Sequence, residues 1–147
     1  SNALDNNAFF SIKSAVCILY PRGDGTFLSV SRRHDQSKWG MPGGKVDDNE
    51  INVEAIQREV SEETGIMFAN LAAFVPLFSG VCSGDTNFWV TTYLFVDNRV
   101  IRDFEILPED GLLVSWKTEE ELCDTSISDF ALYNKRVFAA LKERNNG

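Results

Sequence analysis

Short apolar segments separated by turn residues run through the first part of the chain. The continuous apolar run SAVCILY (14–20) is typical of a buried strand, and TFLSVSR (26–32) alternates like a second strand. The residues between them, PRGDG, have turn chemistry, so this region predicts a hairpin. Pro76 indicates a sheet edge or a bulge in a later strand, because proline has no N–H to donate. The later segments that predict strands are 72–78, 87–96 and 112–116.

Two segments have the periodicity of helices. Residues 52–64 predict one helix, and Gly65 suits the left-handed conformation that commonly ends a helix. Residues 128–143 predict a second helix, with Ser126 or Ser128 as its N-cap. Strands mixed with two helices indicate an α/β or α+β sandwich.

Length and composition predict a single globular domain. The chain has 147 residues and a 44% hydrophobic content, which suits one compact core. The opening Ser1-Asn2-Ala3 resembles the remnant of an expression tag, which leaves 4–147 as the domain. No apolar run approaches the length that crosses a bilayer, and the early segment lacks the pattern of a signal peptide. We therefore expect no contact with a membrane.

Charge and cysteine content narrow the class of partner. The net charge of −8 disfavours binding to DNA or RNA polymers, which requires a basic surface. A small phosphorylated ligand is compatible with it, because metal ions supply positive charge locally. Cys17, Cys82 and Cys123 match neither a disulfide framework nor a zinc motif, and Cys17 is expected in the core. These features predict a protein of the reducing cytoplasm.

Three acids recur on one side of the first predicted helix. Glu59, Glu62 and Glu63 have the i, i+3, i+4 spacing that places side chains on one helix face. They border an apolar stripe, where mutual repulsion calls for a positive charge. Oxygen-only ligands favour Mg²⁺ or Mn²⁺. The alternative is a solvated acidic face in which Glu54 and Arg58 form an i, i+4 pair.

The surrounding residues extend this pattern into a known motif. The stretch GKVDDNEINVEAIQREVSEETGI (44–66) resembles the Nudix box, G-x5-E-x7-R-E-U-x-E-E-x-G-U, where U is a bulky aliphatic residue. W-x-M-P-G-G at 39–44 is similar to the usual lead-in, and Trp116 with TEEEL (118–122) is similar to a later family segment. The matching box positions are Gly44, Glu50, Arg58, Glu59, Val60, Glu62, Glu63, Gly65 and Ile66.

Two positions depart from the common form of the box. Asn49 stands where many members have glycine, and Ile51 stands where a serine or threonine often caps the helix. We expect Asn49 to take over the capping role. The departures affect the start of the helix and leave the acidic residues in place.

The resemblance to the Nudix hydrolase family implies a fold and a chemistry. The implied fold is an α/β/α sandwich with a mixed sheet, in which the box forms a loop-helix-loop. Glu59, Glu62 and Glu63 would hold divalent cations, Mg²⁺ or Mn²⁺, and the carbonyl of Gly43 would add a ligand. One of these glutamates, or a loop acid, would be the general base. The remaining catalytic assignments are Arg58 and Glu50, which would pair and fix the helix to its loop.

Candidate phosphate and acid contacts flank the box. Arg33 is a candidate for substrate phosphate, preferred over Arg32, and the alternative is an ordinary surface cation. Lys45 has the same two interpretations. The lone histidine, His34, is expected to be a loop residue. A further family carboxylate would come from the loop 97–111, where the candidates are Glu105 and Glu109.

Three residues are candidates for contact with a base. Some family members that recognise nucleobases use an asparagine near the position of Asn134, although we expect a plain exposed asparagine here. Phe88 and Trp89 would supply a stacking face, with one of the two in the core.

The leading functional hypothesis is hydrolysis of a nucleoside triphosphate to a monophosphate and pyrophosphate, as in MutT-like members. The enzyme alternatives are hydrolysis of ADP-ribose, of a nucleotide sugar or of a dinucleoside polyphosphate. A non-catalytic nucleotide sensor on the same fold is a further alternative, although sensors usually have a damaged box and this box is intact. The expected partner is a small nucleotide bound by a monomer or a homodimer.

Overall fold

The computed structural model describes residues 12–84 and 87–147. The expectation that Ser1–Ala3 are a tag remnant lies outside the described residues. Within the described residues the strands are β1 (Lys13–Leu19), β2 (Thr26–Ser31), β3 (Trp39–Gly40), β4 (Gly43–Lys45), β5 (Phe74–Cys82), β6 (Phe88–Phe95) and β7 (Val114–Thr118). The helices are α1 (Asn52–Thr64), α2 (Glu119–Leu122) and α3 (Ala131–Asn146), with single 3₁₀ turns at Leu71–Ala73 and Asp103–Glu105.

The strands form a mixed sheet and a smaller antiparallel sheet. The first has the order β4-β1-β6-β5, in which β1 and β6 are parallel and the other pairs are antiparallel. The second has the order β3-β2-β7. This architecture confirms the predicted α/β class with a mixed sheet.

The apolar stripe of α1 packs into the larger of two cores. Ile56 and Val60 are fully buried there beside Val16 and Ile18 of β1. Burial of each such side chain contributes about 1.5–3 kcal/mol. A second core lies under α3, where Phe138 packs with apolar residues of β1 and β6. The two cores hold α1 and α3 against the strands, and thereby fix the acidic face of α1 relative to β4. No helix among the described residues has the length and apolarity required to cross a bilayer.

The predicted hairpin between β1 and β2 forms only at its turn. Leu28 N–H donates to Tyr20 O at 3.0 Å, and Arg22 N–H donates to Thr26 O at 2.9 Å. Beyond the turn the prediction is wrong, because β1 pairs with β4 and β6 whereas β2 pairs with β3 and β7. Each of the two strands pairs with strands distant in sequence instead of with the other, so β1 and β2 belong to different sheets.

Pro76 lies where the sequence indicates. Its strand, β5, is at the edge of the mixed sheet, and the pairing with β6 shifts register between Pro76 and Phe78. Both parts of the prediction, the edge and the bulge, are confirmed.

The bounds of α1 match the prediction, but its N-cap does not. Gly65 ends the helix at φ 79°, in the left-handed region that glycine occupies without strain. At the other end Ile51 is the N-cap, so the prediction for Asn49 is wrong. The carboxylate of Glu54 takes the capping role from inside the helix, accepting from Ile51 N–H at 3.0 Å. An acid in the first turn also suits the positive end of the helix dipole.

The start of α3 is also corrected. Phe130 is its N-cap and makes no side-chain cap, so neither Ser126 nor Ser128 caps the helix. Ser128 Oγ instead accepts from Phe130 N–H at 3.1 Å, which closes a turn just before the helix. Ser126 Oγ donates to Asp124 at 2.7 Å in an exposed turn.

Candidate active site

Two glycines bring the loop before α1 against β1 and against the acidic face. A Cβ on Gly43 would lie 2.0 Å from Val16 O, because β4 pairs closely with β1 at this point. A Cβ on Gly44 would lie 2.4 Å from Cδ of Glu59. The absence of side chains here therefore lets the Glu59 carboxyl sit directly on the loop backbone.

The three acids lie on one face of α1, and each has a different environment. The carboxylate of Glu63 is turned inward and accepts from Gly43 N–H at 2.8 Å. Glu59 accepts from Arg58 Nη1 at 2.8 Å and is 17% exposed. Glu62 lies 3.6 Å from the same guanidinium and is 54% exposed. The acidic face thus grades from a buried carboxylate to one in solvent.

Arg58 ties this face to the preceding loop. Its guanidinium donates from Nε and Nη2 to the two oxygens of Glu50, at 2.7 and 2.8 Å, and this is the predicted pair in bidentate form. Nη2 also donates to Lys45 O at 3.0 Å. The alternative pair of Arg58 with Glu54 is not formed, because Glu54 caps the helix. Hydrogen bonds from Arg58 hold the pKa of Glu50 down, at about 2.

Burial disfavours the ionised form of two of the acids and so raises their pKa values. It raises the pKa of the Glu63 carboxyl to about 8, and the neighbouring Glu59 adds to the effect. Burial also raises the pKa of Glu59, although Arg58 acts in the opposite direction. A nearby cation would therefore stabilise the ionised forms of both carboxyls.

A metal ion fits this site by the chemistry of its donors. As placed in the structure, residues 12–84 and 87–147 contain no group of three His, Cys, Asp or Glu side chains positioned to hold an ion together. Arg58 and Gly43 N–H occupy oxygens of Glu59 and Glu63. The donors are nevertheless all carboxyl oxygen atoms, and burial raises the pKa of two of these carboxyls. Such donors suit a hard divalent cation.

A cavity of about 370 Å³ opens beside the acidic residues. Glu63 and β4 form part of its lining. Much of the rest is apolar or aromatic, including Phe88, Leu112, Phe130 and Tyr133. A volume of this size and character suits a small organic ligand.

Asn134 lies at the wall of this cavity. The prediction of an exposed asparagine is wrong, because Asn134 is 1% exposed and lines the cavity wall. Its Nδ2 donates to Leu122 O at 2.8 Å, and its Oδ1 is buried without a hydrogen-bond partner. Only a donor can approach a carbonyl oxygen so closely, which fixes the orientation of the amide. Leaving a buried acceptor unpaired costs free energy of folding.

The cavity lining includes all the candidate cations, Arg32 among them, but only one of the two candidate loop acids. Arg33 and Lys45 both line the cavity, and Arg33 pairs with Glu109, also in the lining, at 2.9 Å. Glu105 pairs with Arg99 and is absent from the lining. His34 is exposed, as expected of a loop residue. Glu109 is therefore the loop acid that the fold brings to the site.

The loop that carries Glu109 is attached to α1. Leu107 N–H donates to Thr64 O at 2.7 Å, at the last residue of the helix. Gly65 makes room for this contact, since a Cβ there would lie 2.9 Å from Leu107 N. The charge of Glu109 is close enough to contribute to the raised pKa of Glu63. The end of α1 thus places a fourth acid near the three on the helix.

Comparison with known proteins decides the family. A family model described as the NUDIX domain matches residues 11–141. The chain belongs to the NUDIX family. A putative 8-oxo-dGTP diphosphatase 3 of Mycobacterium tuberculosis is 28% identical over 110 residues, which cover 71% of this chain and 50% of that protein. An 8-oxo-dGTP diphosphatase of Buchnera aphidicola is 26% identical over 121 residues, covering 77% of this chain and 84% of the relative.

Solved structures give the same fold. A NUDIX hydrolase from Nitrosomonas europaea superposes with a TM-score of 0.67 at 19% identity, covering 93% of this chain and 90% of the other. The E. coli ORF135 protein gives a TM-score of 0.64 at 21% identity, covering 90% and 94%. The chain spans about half the length of the mycobacterial relative. These likenesses confirm the expected NUDIX fold.

Several residues that line the cavity have sequence patterns typical of core residues. Tyr133 has the helical spacing of an apolar stripe in 128–143, and it is 6% exposed in the second core; its hydroxyl also donates to Val90 O at 3.2 Å in the cavity wall. Phe130 has the same helical spacing, and it lines the cavity just before α3. The prediction that Phe88 or Trp89 is core is wrong, because Phe88 lines the cavity and Trp89 is 47% exposed. Cys17, expected in the core, is half-buried in the cavity lining.

Proposed function

We propose that this NUDIX domain hydrolyses a nucleoside triphosphate to a nucleoside monophosphate and pyrophosphate, with Mg²⁺ or Mn²⁺ as cofactor. The observation that carries the proposal is a partly aromatic cavity whose lining includes Glu63 of the acidic face, with the unpartnered Oδ1 of Asn134 buried at its wall. A nucleobase supplies both a flat apolar face and the missing donor. The names of the mycobacterial and Buchnera relatives favour a nucleoside triphosphate over a nucleotide sugar.

The acidic face of α1 would carry the reaction. Glu59, Glu62 and Glu63, with the carbonyl of Gly43, would hold the cation. A bound divalent cation would neutralise diphosphate oxygens and acidify the attacking water. Arg58 and Glu50 would keep the helix and its loop in register, so that the carboxylates stay oriented.

Residues around the cavity would bind the two ends of the substrate. Arg33 and Lys45 lie in the lining and would contact phosphate oxygens, with Arg33 exchanging Glu109 for the substrate. The released Glu109 joins Glu59 and Glu62 as a candidate to accept a proton from water. At the other end the Oδ1 of Asn134 would accept a hydrogen bond from a donor on the base edge.

Removal of the Asn134 amide should flatten the preference among bases. A site that hydrogen-bonds a base edge rejects a base that leaves its buried group unpaired. Asn134→Ala is therefore expected to reduce the ratio of kcat/KM between the best and worst common nucleoside triphosphates by about tenfold, mainly through KM. Steady-state kinetics on the four common deoxynucleoside triphosphates measures the ratio.

Arg33→Ala is the matched control for this experiment. It should slow all four substrates alike, because phosphate contacts carry no information about the base. An unchanged preference in Asn134→Ala would place the base pocket elsewhere. A screen in which a nucleotide sugar or ADP-ribose is the best substrate would contradict the triphosphate proposal.

A further inference from the structure

We infer that a second cavity of the protein binds a phosphate group. This cavity, of about 220 Å³, shares no lining residue with the cavity beside the acidic face. It lies where the parallel strands β1 and β6 end, and it is lined by residues 20–22, by residues 97–101 and by Trp116 of β7. The inference goes beyond the proposed function, which assigns a role to none of these residues.

The charge of this cavity differs from that of the chain as a whole. The protein has a net charge of −8, yet Arg22 and Arg99 both line the cavity. Of the described residues in the lining, Asp97 is the one acid, and its carboxylate accepts from Asn98 N–H at 2.8 Å. Positive charge is therefore in excess in the lining, which favours an anion as the ligand.

Arg22 is held by the face of its guanidinium group. The guanidinium carbon lies 4.7 Å from the centre of the Trp116 ring, which is the distance of a cation–π contact. Within residues 12–84 and 87–147 no ion pair includes Arg22. The nearby Asp24 accepts instead from Thr26 N–H at 3.0 Å and from Thr26 Oγ1 at 2.5 Å. Because the N–H groups of a guanidinium lie in its plane, stacking leaves them available to two oxygens of one phosphate.

Arg99 is fixed in the wall of the cavity by two other groups. Its guanidinium carbon lies 5.2 Å from the centre of the Phe68 ring, and its Nη2 donates to Glu105, which is outside the lining. Its Nη1 is buried without a hydrogen-bond partner, so Glu105 satisfies only part of this partly buried cation. An anion in the cavity would stabilise the remaining positive charge.

The size of the cavity limits the ligand. Its volume of about 220 Å³ is below the roughly 300–1,000 Å³ of sites that enclose a drug-sized molecule. The cavity therefore suits a phosphate group and not a whole nucleotide. Inorganic phosphate and pyrophosphate are two small sources of this chemistry.

Titration of the isotope-labelled protein with inorganic phosphate, without metal and at constant ionic strength, tests the site by NMR. The amide signals of Tyr20, Arg22 and residues 98–101 should shift and saturate with a Kd of about 1 mM or below. A parallel titration with pyrophosphate separates the two sources, since the ligand that fits the site gives the lower Kd. Shifts confined to residues 43–45 of the other cavity would overturn the inference.

Arg22→Gln removes the stacked guanidinium from an exposed position, so the fold should be unchanged. It should raise the Kd for phosphate at this site at least about tenfold. Arg144→Gln is the matched control, because it removes the same charge from an exposed position near the end of α3 and should leave the Kd unchanged. Equal Kd values in the two variants would also overturn the inference.

The test is separable from that of the proposed function. Arg22→Gln should leave kcat/KM for hydrolysis unchanged, because the two cavities share no lining residue. Arg33→Ala should leave the phosphate shifts of residues 98–101 unchanged for the same reason. Loss of those shifts in Arg33→Ala would place the bound phosphate in the first cavity and contradict the second site, whereas the proposed hydrolysis would stand.

Discussion

Glu63→Gln is expected to lower kcat/KM by about 100-fold or more while the fold stays intact. The amide preserves the volume of the side chain, and its oxygen can still accept from Gly43 N–H. It removes the negative charge that would hold a divalent cation, and the cation contributes several kcal/mol to such a reaction. Steady-state kinetics and circular dichroism measure the two quantities.

The same substitution should stabilise the metal-free protein at alkaline pH. Burial raises the pKa of Glu63 from 4.5 to about 8, so the native state holds a proton that the unfolded state releases between these values. The free energy of unfolding therefore falls as pH rises from about 4.5 to about 8. Glutamine cannot ionise, so Glu63→Gln should lose less stability across this window in thermal melts.

Glu54→Gln is the matched control for Glu63→Gln. Glu54 is exposed on the same helix and its cap on Ile51 N–H survives in the amide. It should keep wild-type activity. Wild-type turnover in Glu63→Gln would show that α1 does not carry the metal site.

Arg58→Ala is expected to lower activity and stability together. The guanidinium bridges Glu50, Glu59 and Lys45 O, so its loss frees the loop from the helix and leaves partly buried carboxylates unpaired. We expect a loss of about 2 kcal/mol in the free energy of unfolding, because hydrogen bonds to charged groups contribute this much. Activity should fall about 10- to 100-fold, as for other residues that orient metal ligands.

Two variants separate these effects of Arg58 from a general loss of charge. Arg58→Lys keeps the charge but not the fork that bonds both oxygens of Glu50, so it should be intermediate. Arg144→Ala removes an exposed arginine near the end of α3 and should change neither quantity. Chemical denaturation and kinetics measured together decide the matter. An Arg58→Ala protein with lowered activity and unchanged stability would contradict the tethering role.

The helix that carries the acids could be predicted from sequence because its signals are local. Its apolar stripe repeats at helical spacing, and Gly65 supplies the left-handed residue at its end. The i, i+3, i+4 positions of Glu59, Glu62 and Glu63 follow directly from these bounds. Its N-cap could not be predicted. The side chain that caps the helix is Glu54, inside the first turn, whereas the pattern suggested Asn49, which lies before the helix.

The side of the cavity formed by α3 could not be predicted, because it depends on contacts between distant segments. Asn134 resembles a surface residue until α2 places Leu122 O beside it, twelve positions away in the chain. Tyr133 has the spacing of a core residue and is in the second core, but its hydroxyl bond to Val90 O joins residues 43 positions apart and has no local signal. The predicted hairpin does not extend beyond its turn for the same reason, because β1 and β2 pair with distant strands in different sheets.

Cation-dependent cleavage of a nucleoside triphosphate by the α1 acids can be measured from the reaction products. The purified protein is incubated with each common nucleoside triphosphate, with Mg²⁺ and then with Mg²⁺ plus excess EDTA, and the products are separated by ion-exchange chromatography. We predict equal amounts of nucleoside monophosphate and pyrophosphate with Mg²⁺, and no turnover with the chelator. Full activity in excess EDTA would show that the α1 acids do not act through a cation, and release of nucleoside diphosphate and inorganic phosphate would show cleavage at a different phosphate.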